Sequence, residues 1–440
     1  MNRRDFIKTA GTGAVALGIS SCAPSAVKDI AETSHTGEPR GAMVQHYEGV
    51  GLLGYGCMRW KMTKDENGKD VIDQEDVNRL VDYAIGHGVN YFDSAPVYLR
   101  GQSEAATAKA LLRHPREKYL IATKCSNSRL SGKDAYKVGY DMYRESLDIY
   151  QTDHIDYYLL HSLRGLKSFN ERFGDCGLMD YFVSEREKGH IRNLGFSFHG
   201  SRKDFDELLA LHDKYHWDFV QIQMNYVDWV GDAEYLYDEL DKRSIPVVIM
   251  EPLLGGLLAK VPSRIAEEFK TRNPQASVAS WAFRFVGGFP RILTVLSGMT
   301  YMEDLKDNLS TYMDFKPCSE EEMAFLREVG EKMEKYPLIP CTGCQYCMPC
   351  KYGIDIPGIF KFYNDNVNRE TYVVGKEQKG YARARRRYLL KYNKAIPTVR
   401  QADHCIDCGE CVKKCPQRIR IPNELRLFDN YLEKLKQETL

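Results

Sequence analysis

Apolar, β-branched and aromatic residues gather in short runs that recur from residue 51 onward. The runs are Gly51–Met58, Tyr91–Ala95, Tyr119–Cys125, Ile155–His161, Ile191–His199, Phe219–Asn225, Ile245–Leu253 and Ile292–Met299. Between them lie stretches with apolar residues at helical spacing, Gln74–His87 and Lys137–Tyr150 among them. The runs suit strands and the intervening period suits helices with one buried stripe. Strand and helix in alternation predict parallel strands covered by helices. Eight such units in roughly 250 residues is the size of a (β/α)8 TIM barrel. A doubly wound open sheet shares the alternation, but no Gly-x-Gly-x-x-Gly follows the first run, which counts against it.

The pattern changes on either side of this block. Residues 23–47 are polar, rich in small residues and without a sustained period, as expected of a linker. The repeating strand–helix block occupies 48–315. Ser319 with Glu322 then resembles a capping box, opening a helix that ends near Lys335, so 316–336 is expected to be a connecting helix. Pro337 and Pro340 mark a boundary, and 337–440 forms a further domain.

Composition adds one sharp feature. The chain has 440 residues, 61 Lys+Arg against 61 Asp+Glu, 43% hydrophobic and 28% charged residues. Such a length suggests two or three domains. Balanced charge gives no overall attraction for nucleic acid or an anionic membrane. No run of about 18 apolar residues is present, so no membrane-spanning helix is expected. Of 13 cysteines, eight fall at 341, 344, 347, 350, 405, 408, 411 and 415, a spacing that asks for a metal or disulfide explanation.

The amino terminus reads as an address. Arg3-Arg4-Asp5-Phe6-Ile7-Lys8 precedes a short, mildly apolar stretch that ends Ile19-Ser20-Ser21-Cys22. A charged start, a short apolar region and small residues before a cut site describe an export signal over residues 1–22. The first segment resembles the twin-arginine signal. The second resembles a bacterial lipobox, which implies a lipid on Cys22 as the only membrane attachment. Together they imply export across the bacterial inner membrane, to a periplasmic or lipid-anchored location. A disordered basic tail with a stray cysteine is the alternative.

Ionisable residues fall at the ends of successive runs. Asp93 ends the second, with Tyr98 in the loop after it; Lys124 ends the third and His161 the fourth. All four therefore map to the C-terminal rim, where barrel active sites are built. Tyrosine has an ordinary pKa near 10, and a neighbouring lysine cation favours its phenolate. A carboxylate beside the lysine holds it charged, and a histidine within reach can hydrogen-bond a substrate oxygen. The set reads as a proton donor for a carbonyl oxygen with its tuning and orienting groups.

Phe92-Asp93-Ser94-Ala95-Pro96-Val97-Tyr98 with Ser103-Glu104 resembles the aldo-keto reductase signature, and Ala122-Thr123-Lys124 and Leu160-His161 match its later motifs. The resemblance covers about residues 48–315. It implies that Tyr98 is the general acid/base, that Lys124 and Asp93 tune it, and that His161 orients the carbonyl of a small-molecule carbonyl or alcohol substrate. It also implies a nicotinamide cofactor, NAD or NADP. Ser197 and Gln221 match residues that contact the nicotinamide amide. Glu251-Pro252-Leu253-Leu254-Gly255-Gly256 resembles the pyrophosphate loop, which places Pro252, Leu253 and Gly255 at the cofactor. Gly298, Asp307 and Asn308 keep the pattern of the last cofactor loop. Four positions depart from the family: Phe198 follows Ser197 in place of Asn, Met250 replaces the stacking Tyr, and Thr300 and Tyr301 replace the basic residues that grip a 2′-phosphate. Without an arginine fork a phosphate loses its best partner.

Cys405-Ile-Asp-Cys408-Gly-Glu-Cys411-Val-Lys-Lys-Cys415-Pro416 is the bacterial ferredoxin pattern C-x2-C-x2-C-x3-C-P. Cys341-Thr-Gly-Cys344-Gln-Tyr-Cys347-Met-Pro-Cys350 departs from it by one residue before the last cysteine. In two-cluster ferredoxins the fourth ligand comes from the other block. This assigns Cys341, Cys344, Cys347 and Cys415 to one 4Fe-4S cluster and Cys405, Cys408, Cys411 and Cys350 to a second. Zinc knuckles would leave two cysteines per block surplus, and disulfides between sulfurs this close in sequence would be strained. The blocks are separated by 54 residues, many at helical spacing, which resembles the helical ferredoxin variety. Arg383, Arg385, Arg386, Arg387 and Lys391 form a basic run that suits a solvated face or the docking of an acidic redox carrier better than nucleic acid.

Three readings follow. The chain is an exported oxidoreductase whose clusters exchange electrons with a barrel acting on a carbonyl or alcohol. Or it is a nicotinamide reductase with structural clusters. Or it is an electron-transfer protein whose barrel is a docking module, which the intact set of four argues against.

Overall fold

The computed structural model describes residues 38–128 and 130–440. The twin-arginine-like segment, Cys22 and the first part of the 23–47 linker lie outside the described residues. Each of the eight runs holds all or most of one strand of a closed, all-parallel barrel. The barrel strands are β1 (Leu53–Gly56), β4 (Tyr91–Asp93), β5 (Leu120–Cys125), β6 (Ile155–Leu163), β7 (Ile191–Phe198), β8 (Phe219–Gln223), β9 (Val247–Met250) and β10 (Ile292–Ser297). Their order is β1-β10-β9-β8-β7-β6-β5-β4, and β1 closes the ring on β4. A short antiparallel hairpin, β2 (Met62–Lys64) with β3 (Asp70–Ile72), is inserted between β1 and the helix Gln74–Gly86.

Side chains alternate across each strand, so every second residue points into the barrel. Tyr91, Ala122, Tyr157, Leu159, Phe219 and Val248 fill its lower interior. Three of them form an aromatic cluster, Tyr91 tilted against Tyr157 at 4.9 Å and Tyr157 edge-on to Phe219 at 5.2 Å between ring centres. One pleat further along the same strands, the inward positions are Asp93, Lys124, His161 and Gln221. The apolar plug below therefore fixes the height at which the polar residues emerge.

The described residues divide into two compact units. One holds the barrel, from the start of the described chain to Leu253 and from Ala279 to Arg327. The other joins Leu254–Val278 to Glu328–Leu440. The helix Glu320–Lys335 opens on the expected capping box: Glu322 N–H donates to Ser319 Oγ at 3.2 Å, and Ser319 N–H donates to Glu322 Oε2 at 2.9 Å.

The second unit is mainly helical, as its sequence period implies. Helices Ile356–Asn368, Tyr381–Ala395 and Ile421–Lys436 enclose a core that includes Ile359, Phe360, Tyr388, Tyr392 and Phe428. Asn364 clamps the incoming chain: it accepts from Ile339 N–H at 2.9 Å and donates to Ile339 carbonyl at 2.7 Å. That pair fixes the backbone two residues ahead of Cys341. Among the described residues no helix is long and apolar enough to cross a membrane.

Candidate functional site

Lys124 Nζ donates to Asp93 Oδ1 at 2.6 Å and to the Ser94 carbonyl at 2.7 Å. All three atoms are buried. Burial draws the Lys124 pKa down, and the Asp93 carboxylate opposes that shift. The ammonium lies 4.9 Å from the centre of the Tyr98 ring. Tyr98 is itself buried and starts a tight turn, Tyr98–Gly101, whose Leu99 (φ 48°) and Arg100 (φ 59°) sit in the left-handed region. Such conformations cost roughly 1–3 kcal/mol each and need support from outside the turn. Gln102 supplies it by bonding the inserted hairpin twice, accepting from Ile72 N–H and donating to the Asp70 carbonyl, both at 3.3 Å.

The His161 ring stands edge-on to Tyr98, with centres 5.8 Å apart at 78°. Its Nδ1 lies 2.5 Å from Ser126 Oγ. Burial holds the imidazole well below its usual pKa, and the charges of Lys124, Arg172 and His199 push the same way. His161 is therefore neutral near pH 7. The structure thus brings Asp93, Tyr98, Lys124 and His161 into one buried cluster on the C-terminal rim.

Of the expected cofactor residues, Ser197 and Gln221 are register partners on β7 and β8. Ser197 Oγ accepts from Ser162 N–H at 2.7 Å, which leaves its own proton to give. Gln221 is buried, and its Oε1 has no hydrogen-bond partner. A carboxamide N–H is what such an oxygen lacks. Pro252 is buried and Leu253 half-buried after β9, beyond Met250. Gly255 has φ 68°, and a Cβ there would come within 2.3 Å of Thr342 Cα, so this loop lies backbone to backbone against the first cysteine block. At the end of β10, a Cβ on Gly298 would meet Arg59 Cδ at 2.7 Å. Asn308 donates to Ser297 Oγ at 2.9 Å, and buried Asp307 accepts from Ser310 Oγ through its carbonyl at 2.7 Å. The first of these bonds ties the helix back to the end of β10, and the second lies within the helix. Thr300 Oγ1 donates to the Arg59 carbonyl at 2.9 Å, whereas Tyr301 is exposed. Phe198, beside Ser197, is buried against Phe205 at 4.8 Å.

The eight clustered cysteines are thiols, not disulfides. Cys341, Cys344, Cys347 and Cys415 line one cavity, closed on its other sides by Ile356 and Phe360. Burial pushes the Cys347 thiol up, and Cys344, Cys341 and Cys415 add to the shift. Burial likewise pushes Cys411 up to about 11, with Cys405, Cys408 and Cys350 adding to it. The two quartets are those that exchange of the fourth cysteine between blocks requires. Cysteines gathered in this way suit a site where a positively charged iron core is held among their thiolates. Among the described residues no three donors converge tightly enough for a single metal ion.

Backbone conformation repeats between the blocks. Gly343 and Asp407, before the second cysteine, have φ 67° and 60°; Gln345 and Gly409, after it, have 63° and 73°. Gly353 and Arg418, three residues past the last cysteine, have 77° and 51°. Ile354-Asp355-Ile356-Pro357 and Ile419-Arg420-Ile421-Pro422 then each lead into a helix. The sequence repeat therefore extends past the cysteines.

Residues 52–331 match the model of the Aldo/keto reductase family, well over half of the chain. The chain belongs to the aldo/keto reductase family. It is an oxidoreductase, and residues 340–419 match a 4Fe-4S dicluster domain, so this reductase has an iron–sulfur domain after its barrel in the sequence. It is 23% identical over 305 residues to the uncharacterized oxidoreductase YqkF of Bacillus subtilis, covering 63% of this chain and 92% of that one. It is also 23% identical over 288 residues to the NADH-specific methylglyoxal reductase of Escherichia coli, covering 56% and 85%. In fold it resembles an aldo-keto reductase from Klebsiella pneumoniae solved with NADPH (TM-score 0.52, 21% identity, 66% and 95% covered) and the holo form of AKR11C1 from Bacillus halodurans (TM-score 0.51, 21% identity, 66% and 96% covered).

Sequence reasoning about this aldo/keto reductase missed Ser126, Arg59 and Arg172. Ser126 follows β5 directly, and its place beside His161 depends on strand register. Arg59 follows β1 and reaches Gly298 only because the barrel closes.

Proposed function

We propose that this enzyme interconverts a carbonyl and an alcohol on a small molecule, with Tyr98 giving and taking the proton. The observation that carries the reading is the buried Lys124–Asp93 pair set against the Tyr98 ring. A nicotinamide, when bound, supplies or accepts hydride at the reacting carbon. Tyr98 protonates the oxygen during reduction, and the Lys124 charge stabilises the phenolate left behind. Asp93 keeps that lysine charged and fixed. His161 holds the oxygen through Nε2–H, which requires Ser126 to donate to Nδ1. Burial of all four groups keeps water from the proton transfer.

Ser197 and Gln221 would hold the carboxamide of the dinucleotide, with Gln221 Oε1 accepting from its amide nitrogen. NAD and NADP are both candidates. One curated relative is named NADH-specific and one solved relative holds NADPH. Thr300 and Tyr301 offer a 2′-phosphate no cation. In the second unit, Cys341, Cys344, Cys347 and Cys415 would hold one cluster, and Cys405, Cys408, Cys411 and Cys350 the other. Such clusters supply one-electron transfer when bound, which fits exchange with an external redox carrier. A structural role for them is favoured by one contact, Gly255 against Thr342. Export through the twin-arginine signal, with a lipid on Cys22, completes the reading.

The test is anaerobic turnover of a panel of carbonyls and alcohols with each dinucleotide. Oxidation or reduction of either dinucleotide supports the reading. Binding of neither removes it.

A further inference from the structure

Arg172 lies in the turn Asn170–Gly174 that follows β6, the strand carrying His161, and it is 5% exposed. Its Nε donates to Asn127 Oδ1 at 3.2 Å, its Nη2 reaches the Cys125 carbonyl at 3.5 Å, and the guanidinium lies 4.8 Å from the Phe173 ring centre. These partners are all neutral. Among the described residues no carboxylate acts on this cation. A guanidinium presents five N–H donors in a fixed fork. The two bonds use one edge of that fork, leaving the Nη1 edge for an outside acceptor.

The cation is held rigidly. Asn127 Nδ2 donates to the Arg172 carbonyl and to the Ala135 carbonyl, both at 3.1 Å. The same short stretch joins it to the reaction site. Lys124 ends the pleat, the Cys125 carbonyl and Asn127 seat Arg172, and Ser126 between them bonds His161. Its charge is among those felt by His161. Lys124 is paired with Asp93, and His161 is uncharged, so Arg172 is left without a counter-ion of its own. Burying a charge without a counter-ion is costly. An anionic ligand group would offset that cost, whereas a neutral aldehyde would not.

We propose that Arg172 is a specificity-determining residue that receives a carboxylate on the substrate, so that the substrates are small oxo acids and hydroxy acids. The inference rests on the reading of this rim as a carbonyl-reducing site. The carboxylate takes the Nη edge of the fork while the neighbouring carbonyl points between Tyr98 and His161.

Two arms test it on the full, cluster-loaded protein. In the first, an oxo acid and its methyl ester are compared for kcat and KM. The oxo acid is expected to have the lower KM by roughly 10- to 100-fold, the range of a charge-assisted hydrogen bond. Arg172→Met is expected to erase that difference through KM, and Arg172→Lys to restore part of it. Equal KM values for acid and ester in the unaltered enzyme would overturn the proposal, as would an equal loss for both in Arg172→Met. A phosphate-bearing carbonyl favoured over the oxo acid would overturn the choice of carboxylate. In the second arm, oxamate, a carboxylate that this chemistry does not reduce, is titrated calorimetrically. Binding that is lost in Arg172→Met supports the site even where no turnover is found, a result that would sink the proposed function alone. Should Arg172→Met not fold, the acid–ester comparison in the unaltered enzyme decides.

Discussion

Lys124 Nζ lies 2.6 Å from Asp93 Oδ1, and both side chains are closed off from solvent. A buried pair of this kind contributes little over an apolar replacement, but losing one partner strands the other. Lys124→Met should therefore cost about 3–5 kcal/mol of stability, because Asp93 stays buried without its cation. Adding Asp93→Asn should return most of the melting temperature and none of the turnover. Thermal unfolding of the single and double variants checks this. An unchanged melting point in Lys124→Met would show that the pair is not buried as described.

His161 gives a pH signature. Its native pKa lies below its unfolded value of about 6.5. Below that pH the unfolded chain takes up a proton that the native site refuses. Stability is then lost as pH falls, by up to about 1.4 kcal/mol per unit, until the native imidazole titrates as well. His161→Gln lacks this component. Urea unfolding of the barrel at about pH 7 and about pH 5 should show a smaller loss in the variant than in the unaltered protein. A larger or equal loss in His161→Gln would mean that the imidazole is not held neutral.

Exchange of the fourth cysteine makes a counting prediction. The loaded protein should hold about eight irons. Cys341→Ser with Cys415→Ser removes ligands from one cluster and should leave about four. Cys405→Ser with Cys415→Ser touches both clusters and should leave close to none. Iron and acid-labile sulfide, measured anaerobically, distinguish the pairs; the reverse ranking would mean that each block binds its own cluster.

Export can be checked in cells. Replacing Arg3 and Arg4 by Lys should trap the protein in the cytoplasm with its clusters in place. Cys22→Ala should release it from the membrane fraction. Fractionation and immunoblotting report both outcomes, and unchanged distribution of the Arg3→Lys, Arg4→Lys variant would rule out the twin-arginine route.

Much of this architecture was legible in the chain because barrel strands are buried on both faces and read as continuous apolar runs. The rim residues were legible for a related reason, since Asp93, Lys124 and His161 each stand at, or within two residues of, the end of such a run. The hairpin β2–β3 was not, because its strands have only three residues each, too few to show a period. No local signal sends Leu254–Val278 to the second unit; Gly255 meets Thr342 through tertiary packing alone. Arg172 escaped notice because a cation in a polar turn ordinarily faces water, and only the fold shows this one buried. The Ile-x-Ile-Pro repeat is present in the letters, but its link to the cysteine blocks shows only in the matched backbone conformations that precede it.

The central claim is that Tyr98 moves the proton. Its most direct test is single-turnover reduction of a carbonyl by the bound dinucleotide, followed through nicotinamide absorbance in anaerobically prepared Tyr98→Phe. The account predicts a rate lower by about 10²–10⁴-fold, the usual range for a general acid. Dinucleotide affinity, iron content and melting temperature should stay as in the unaltered enzyme. Hydride transfer at an unchanged rate in Tyr98→Phe would contradict it.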